Sequence, residues 1–464
     1  MKPIIPILAG ALMSALVSAA SEPKPNFVLI LADDMGWNDA GFSGNRFIDT
    51  PHLDRLAREG VVFAEACASA PNCAPTRASL LTGQYSPRHG VYTVVDARHA
   101  PGSPHHKILS AESRDSLRDE SLTLAEALKP AGYATGMFGM WNLGVGRSGP
   151  AAPTGQGFDV FTEPKRLGFE KDAYRDAAGR YSPDVLTDAA LEWMESVKDR
   201  PFFLYLPFHD VHAPYDPKPE LLAKYRARQG VPDPAQAATV EAMDANVGRV
   251  LDAIEKSGAA KRTYVIFTSD NGGTRQYVAP LRGGKGTLYQ GGLRVPAAIR
   301  GPGIVAGGVS RVTTLSMDWF PTVLELAGLS LPADAQIDGR SLLPLLGKRS
   351  TAWERDVFWH FPCYIGGGGP CSAIRSGDWK LIEFFESQRT ELYQLSADPG
   401  ETRDLSSREP ERAAELLAKL RAWQTATKAA CPSLPNPAYD PSAEPKRSRD
   451  DRGKGGKSRS KSSE

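Results

Sequence analysis

The sequence predicts an α/β fold: one large, mainly parallel sheet sandwiched by helices, followed by a smaller antiparallel sheet with one helix. Three observations carry this expectation. Short continuous apolar runs suit strands buried on both faces. They alternate with amphipathic segments of helical length, the pattern of a parallel sheet covered on both sides. Beyond position 330 the pattern changes to short strands separated by turns. The 464 residues exceed one ordinary core, and they divide into a large unit, 23–330, and a smaller one, 331–440.

Met1 to Ala20 reads as an export signal, with Lys2, the apolar run Ile4 to Val17, and the small residues Ser18-Ala19-Ala20 before Ser21. The product is then periplasmic or secreted. Nothing later is long and apolar enough to span a bilayer. Asn26 to Ala32 is the first interior strand, and it stops at Asp33-Asp34. Ser121 to Leu128 and Val185 to Val197 are amphipathic helices, Phe202 to Pro207 is an apolar strand, and Ala242 to Lys256 is a third helix. Thr263 to Thr268 repeats the first strand's pattern and stops at Asp270-Asn271. In open parallel sheets, ligands gather beyond the carboxyl ends of the strands, where both oxygen-bearing pairs fall.

Ala327 to Asp338 marks the passage to the second unit. There Ala373-Ile374-Arg375, Trp379 to Ile382 and Glu391-Leu392-Tyr393 read as strands, and Glu409 to Thr425 as a helix. From Pro441 to Glu464, eight Lys/Arg stand against four Asp/Glu with no large apolar residue. Such a segment cannot offset its ordering entropy, so it reads as a disordered, solvated basic tail and not as a nucleic-acid-binding arm. The formal net charge of +1 selects no class of partner.

The run Cys73-Ala74-Pro75-Thr76-Arg77, leading into Ala78-Ser79-Leu80-Leu81-Thr82-Gly83, is the most informative stretch. Proline with small residues starts a helix readily, which puts position 73 at a helix N-terminus, where backbone N–H groups and the helix dipole favour an anion. Arg77 lies one turn on and points back at the same spot. A plain reading, a buried inert cysteine at a tight turn, is the alternative for a bare C-x-P. The paired oxygens of Asp33, Asp34, Asp270 and Asn271 suit a hard divalent cation, although a helix cap and a turn would also use these residue types.

These eleven residues resemble the signature of the type I sulfatases, of the alkaline-phosphatase-like superfamily, and the resemblance extends from Pro25 to about Ser406. It implies a sulfuric-ester hydrolase in which a formylglycine-generating enzyme oxidises Cys73 to formylglycine. One hydroxyl of the hydrated aldehyde then displaces the alcohol from sulfur, and the second allows sulfate to be expelled. It also implies calcium, with magnesium possible, held by Asp33, Asp34, Asp270, Asn271 and the modified residue 73. His212, in His209-Asp210-Val211-His212-Ala213-Pro214, matches the family's sulfate-contacting histidine, with His209 the alternative. Lys285, between Gly284 and Gly286, matches the lysine that holds the sulfate.

One departure stands out. Where the family carries Gly-Lys-Trp-His-Leu-Gly, this chain has Gly139-Met140-Trp141-Asn142-Leu143-Gly144, so a cation is lost at Met140 while Asn142 still hydrogen-bonds. Arg147 and Arg282 are candidate replacements. Gln290 stands where relatives often carry glutamate. The substrate expected is a sulfated small molecule or carbohydrate; a phosphonate or phosphate ester hydrolase using the same nucleophile, and an impaired sulfatase-like binder, are the alternatives. His99 to Asp115 and Gly366 to Gly369 are candidate rims of the pocket. Of the five cysteines, Cys67, Cys363, Cys371 and Cys431 remain for pairing if Cys73 is consumed. Cys363 and Cys371 either close the Gly-rich loop between them or stay free.

Overall fold

The computed structural model describes residues 23–94, 103–144, 149–170, 173–273, 278–347, 353–365 and 368–443. The export signal, Arg147, the first residues of the His99 to Asp115 stretch, Gly366 and Gly367, and all but the start of the basic tail lie outside these residues. Strands are β1 (Asn26–Ala32), β2 (Val61–Phe63), β3 (Ala66–Cys67), β4 (Ala134–Phe138), β5 (Val160–Thr162), β6 (Phe202–Pro207) and β7 (Thr263–Ser269). They continue with β8 (Ala297–Arg300), β9 (Gly308–Ser310), β10 (Thr314–Leu315), β11 (Asp356–Phe361), β12 (Cys371–Ser376), β13 (Trp379–Phe384) and β14 (Arg389–Gln394). Helices are α1 (Pro51–Arg58), α2 (Cys73–Thr82), α3 (Ser86–His89), α4 (Leu124–Leu128), α5 (Ser182–Ser196), α6 (Pro219–Ala227), α7 (Pro234–Lys256), α8 (Gln290–Leu293), α9 (Trp319–Leu326) and α10 (Pro410–Thr427).

The large sheet has eight strands in the order β5-β4-β6-β1-β7-β8-β2-β9. Only β8 runs against its neighbours. Strand β1 lies between β6 and β7, and every one of its residues is buried. Its side chains divide by the two-residue period: Phe27, Leu29 and Leu31 enter one apolar layer, while Val28, Ile30 and Ala32 enter the other. That two-sided burial is why the run is apolar throughout, and why helices must cover both faces.

The second unit is a four-stranded antiparallel sheet, β11-β12-β13-β14. One face packs on α10, joining Ile374, Leu381 and Leu392 to Leu416 and Leu420. The other meets the large unit through Cys67, Leu288, Leu293 and Met317. Leu342, Leu345, Leu346 and Trp353, just before the small sheet, belong to the core of the large unit.

Element limits differ from the sequence reading where capping intervenes. The expected helix from Ser121 begins only at Leu124, because Thr123 accepts the Glu126 amide and Glu126 accepts the Thr123 amide in return. Conversely α7 begins at Pro234, well before Ala242, because the Asp233 carboxylate accepts the amides of Ala235 and Gln236. All five cysteines are free thiols, so Cys363 and Cys371 take the second of the two options open to them.

Asp244 of α7 supplies the cap that α1 lacks, accepting the His52 and Leu53 amides at 3.1 and 2.7 Å. Burial pushes its carboxyl up to about 7, against the effect of those two bonds. The folded state therefore keeps a proton that the unfolded chain releases at about pH 4. The group's contribution to stability is full in acid and is lost as pH rises through about 7. Asp244→Asn removes one of two acceptors and is expected to cost about 1 kcal/mol at mildly acid pH. The cost should shrink above neutrality, as read from urea midpoints; a cost that grows with pH contradicts this account.

Candidate active site

Four neighbouring parallel strands, β4, β6, β1 and β7, deliver their following residues to one edge of the sheet. Register makes the delivery even, since Ala32 pairs with Ser269 and Leu31 with Pro207. Asp33 and Asp34 follow β1, Asp270 and Asn271 follow β7, His209 and His212 follow β6, and the Gly139 to Asn142 segment follows β4. Helix α2 starts at this edge with Cys73 in its first position. The side chains of Asp33, Asp34, Cys73 and Asp270 each offer a ligand atom, all within 4.8 Å of one another, and all four residues are buried.

Arg77 sits one turn into α2 with no exposed side-chain surface. One guanidinium nitrogen donates both to Asp33 Oδ2 at 2.9 Å and to Asp270 Oδ2 at 2.8 Å, and Nε donates to Asp270 Oδ2 at 3.0 Å. Another nitrogen donates to the Met140 carbonyl. The helix is thus locked to three strand ends by a single side chain. Gly139 makes the last contact possible, because a Cβ there would lie 1.8 Å from the Pro207 carbonyl oxygen.

The carboxylates titrate as a coupled set. Burial opposes ionisation of both Asp33 and Asp270, while the Arg77 charge favours it. Asp33 ends below the usual carboxylate range. Asp270 ends above it, because burial is joined by the charge already on Asp33. At Cys73, burial and then the charges of Asp270 and Asp33 push the thiol well above its ordinary range. Its Sγ–H donates to Asp33 Oδ1 at 3.3 Å. An unmodified thiol here is protonated and a poor nucleophile.

Lys285 lies across the cluster, with Nζ 2.7 Å from Asp34 Oδ1 and 2.9 Å from Oδ2. Burial disfavours the ammonium, but Asp34 and its neighbours hold it charged well above the usual lysine range. Asp34 has a left-handed φ of 63°, which turns its side chain toward Lys285 and Asn271. The Asn271 amide nitrogen donates to Asp34 Oδ1 at 2.7 Å and to the Gly272 carbonyl at 2.9 Å. Those bonds fix the amide, and its Oδ1 is buried without a hydrogen-bond partner. An orphaned buried acceptor beside three crowded carboxylates fits a hard cation, which would satisfy the first and let all of the second ionise.

His212 is the histidine that faces the acids. Its Nδ1 is 2.6 Å from the Ala213 carbonyl, and its Nε2 is 3.7 Å from Asp34 Oδ2. His209 is buried behind it, its ring against Tyr174 and His212. Asn142 is half-buried at φ 57° on the segment whose Met140 carbonyl meets Arg77. Arg282 does not replace the missing cation: it donates to the Tyr393 hydroxyl at 2.8 Å and the Glu401 carbonyl at 2.9 Å in the small unit. Two contributors escaped the sequence reading. Ser269 Oγ accepts the Met35 amide at 3.0 Å and Glu163 the Trp141 amide at 3.3 Å, steadying two site segments. Neither residue carries a sequence signal of its own.

Oxygens gathered for a hard cation, with a half-buried ammonium and a helix N-terminus beside them, are the equipment of a hydrolase acting on anionic esters. The sulfatase family model matches residues 25–329, and a second model, described as N-sulphoglucosamine sulphohydrolase, C-terminal, matches residues 284–428. The chain belongs to the sulfatase family, the sulfuric ester hydrolases. It is 33% identical to a sulfatase of Formosa agariphila, over 90% of this chain and 92% of that one. It is 31% identical to arylsulfatase A of Homo sapiens over 89% of each. Among crystal structures, Ps i-CgsB superposes with a TM-score of 0.74 at 27% identity, covering 86% of this chain and 92% of that one. The same protein in complex with k-i-k-neocarrahexaose gives 0.72 at 26%, with the same coverage of both chains.

Removing Arg77 leaves two buried carboxylates with no counter-charge between them. Arg77→Ala is expected to destabilise the metal-free protein by about 3–5 kcal/mol in urea unfolding. Arg77→Lys should recover only part, since an ammonium cannot span both carboxylates and the Met140 carbonyl. A native midpoint for Arg77→Ala would mean that the guanidinium does not hold this edge together.

Proposed function

We propose that this sulfatase is an exported enzyme that cleaves sulfate esters of a carbohydrate or other small alcohol, using formylglycine made from Cys73 and a divalent cation. The observation that carries the reading is the grouping of Cys73 with Asp33, Asp34 and Asp270 within one ion's reach. Calcium, or magnesium in its place, would be held by Asp33, Asp34, Asp270 and Asn271. When present, the cation supplies charge stabilisation and the hydrated aldehyde supplies the attacking oxygen. Export rests on Met1 to Ala20, and no described helix is long and apolar enough to cross a membrane.

The chain's own residues divide the remaining work. Arg77 holds Asp33 and Asp270 in place. Lys285, with one side partly open, offers its ammonium to the sulfate. His212 has Nδ1 donating to the Ala213 carbonyl, which leaves Nε2 on the acid side, where the imidazolium form would give its Nε2 proton to the departing oxygen. Asn142 contributes a neutral hydrogen bond where the family has a histidine, and Met140 contributes none. A slower chemical step than in relatives with a lysine there follows from that loss. The complex of Ps i-CgsB with k-i-k-neocarrahexaose favours a carbohydrate as the alcohol.

Several measurements test this. Protein co-expressed with a formylglycine-generating enzyme should show the thiol-to-aldehyde mass loss on the peptide containing Cys73, and Cys73→Ala should turn over no sulfate ester; equal rates eliminate the mechanism. Chelation should abolish turnover and lower the melting temperature, with calcium restoring both. Lys285→Ala should lose about 10²–10³ in kcat, whereas Met140→Lys with Asn142→His should raise it. Faster hydrolysis of a phosphonate ester than of a sulfate ester by the same preparation reverses the substrate assignment.

A further inference from the structure

The loop from Arg282 to Gly292, which carries Lys285, is tied both to the segments of the site and to the small unit. The Lys285 amide donates to the Gly273 carbonyl at 3.0 Å, and the Gly286 amide to the Pro71 carbonyl at 2.8 Å. These two ties run to the segments that bear Asn271 and Cys73. Two run from neighbouring residues to the small unit, where the Tyr289 hydroxyl donates to Glu391 Oε2 at 2.7 Å and the Gln290 amide donates to Glu401 Oε2 at 2.6 Å. Arg282, at the head of the loop, donates to the carbonyl of the same Glu401.

Glu401 is an unusual anchor. It is fully buried, and its other carboxylate oxygen accepts from Lys380 Nζ at 2.7 Å, itself fully buried on β13. Its φ is 51°, in the left-handed region that non-glycine residues avoid. Asp398 imposes that turn by accepting the amides of Thr402 and Arg403, both at 2.8 Å. A buried ion pair gives little net stability over an apolar pair of the same size, and a left-handed glutamate is unfavourable in itself. Both features converge on one side chain whose remaining bond goes to the loop of Lys285. Lys380, fully buried on β13, takes one oxygen of Glu401 as its counter-charge, and the other oxygen is directed out of the small sheet to the loop.

We propose that Glu401, held by Lys380, is a positioning residue for Lys285: by fixing the Gln290 amide it sets where the lysine ammonium meets the anionic group of the substrate. The small unit thereby takes part in the reaction without touching the reacting atoms. The inference rests on the reading of Lys285 as the sulfate contact, and Lys285→Ala tests that reading separately.

The test compares two double variants, each of which removes the buried pair together and leaves no lone charge. Lys380→Met with Glu401→Leu also removes the acceptor for the Gln290 amide; Lys380→Met with Glu401→Gln keeps one. The readouts are KM and kcat for an aryl sulfate and the inhibition constant of inorganic sulfate. The leucine variant is expected to raise both KM and that constant by about tenfold, with a smaller change in kcat. The glutamine variant should stay near native values. Should the leucine variant fail to fold, Gln290→Pro removes the donor from the other side, and the same rise in both constants is expected. Proline is tolerated there because Gln290 opens α8 and Tyr289 before it is extended, with φ −73° and ψ 163°. Native constants in the leucine variant, or in Gln290→Pro where that variant cannot be made, overturn the proposal, as does an equal loss in the leucine and glutamine variants.

Discussion

One buried guanidinium governs the site. Arg77 meets Asp33 and Asp270 with no part of any of the three side chains appreciably exposed. Two carboxylates at the ends of adjacent strands repel each other in a medium that screens poorly. A single cation inserted from α2 turns that repulsion into a three-element joint, because its planar fork reaches both strand ends and the Met140 carbonyl at once. The consequence for Cys73 is geometric. It sits one turn before Arg77 on the same helix, so whatever locks Arg77 also fixes position 73 against the acids.

The sheet explains why these groups can meet at all. Strands β4, β6, β1 and β7 are adjacent and parallel, so their carboxyl ends share an edge although the residues they deliver are far apart in sequence. A parallel sheet needs crossover helices, and these cover both faces and leave that edge open. The small antiparallel unit then closes on one side of it, through the Cys67, Leu288 and Leu293 layer and through Glu401.

Much of this was legible in the sequence, for identifiable reasons. Strands β1, β6 and β7 read as continuous apolar runs because burial on both faces leaves no room for polar alternation. Their terminal acids stood out because a carboxylate directly after such a run has to be buried and partnered. Strand β4, Ala-Thr-Gly-Met-Phe, was silent: Gly136 lies flat against Trp193, and the short run lacks β-branched apolar residues. The reach of Arg282 was equally hidden, since its partners Tyr393 and Glu401 lie more than a hundred positions away. Helix limits shifted where a cap decided them, at Thr123 and Asp233, because a side-chain oxygen outweighs periodicity at a helix start.

The charge balance ties the departures of this chain together. When fully ionised, Asp33, Asp34 and Asp270 outnumber the cations Arg77 and Lys285 by one, a balance that disfavours an anionic ester. A divalent cation held there would reverse that sign and leave a surplus of one positive charge, enough to match a sulfate monoester. A lysine at position 140 would add a second surplus charge, and this chain has methionine there. Among the described residues at this edge, Lys285 is then the cation left to meet the substrate on the proposed reading, since Arg77 is committed to structure. A site that grips its anion through that lysine would depend closely on where the lysine stands. That dependence gives a physical reason for the small unit to spend a buried ion pair and a left-handed glutamate on holding the Lys285 loop.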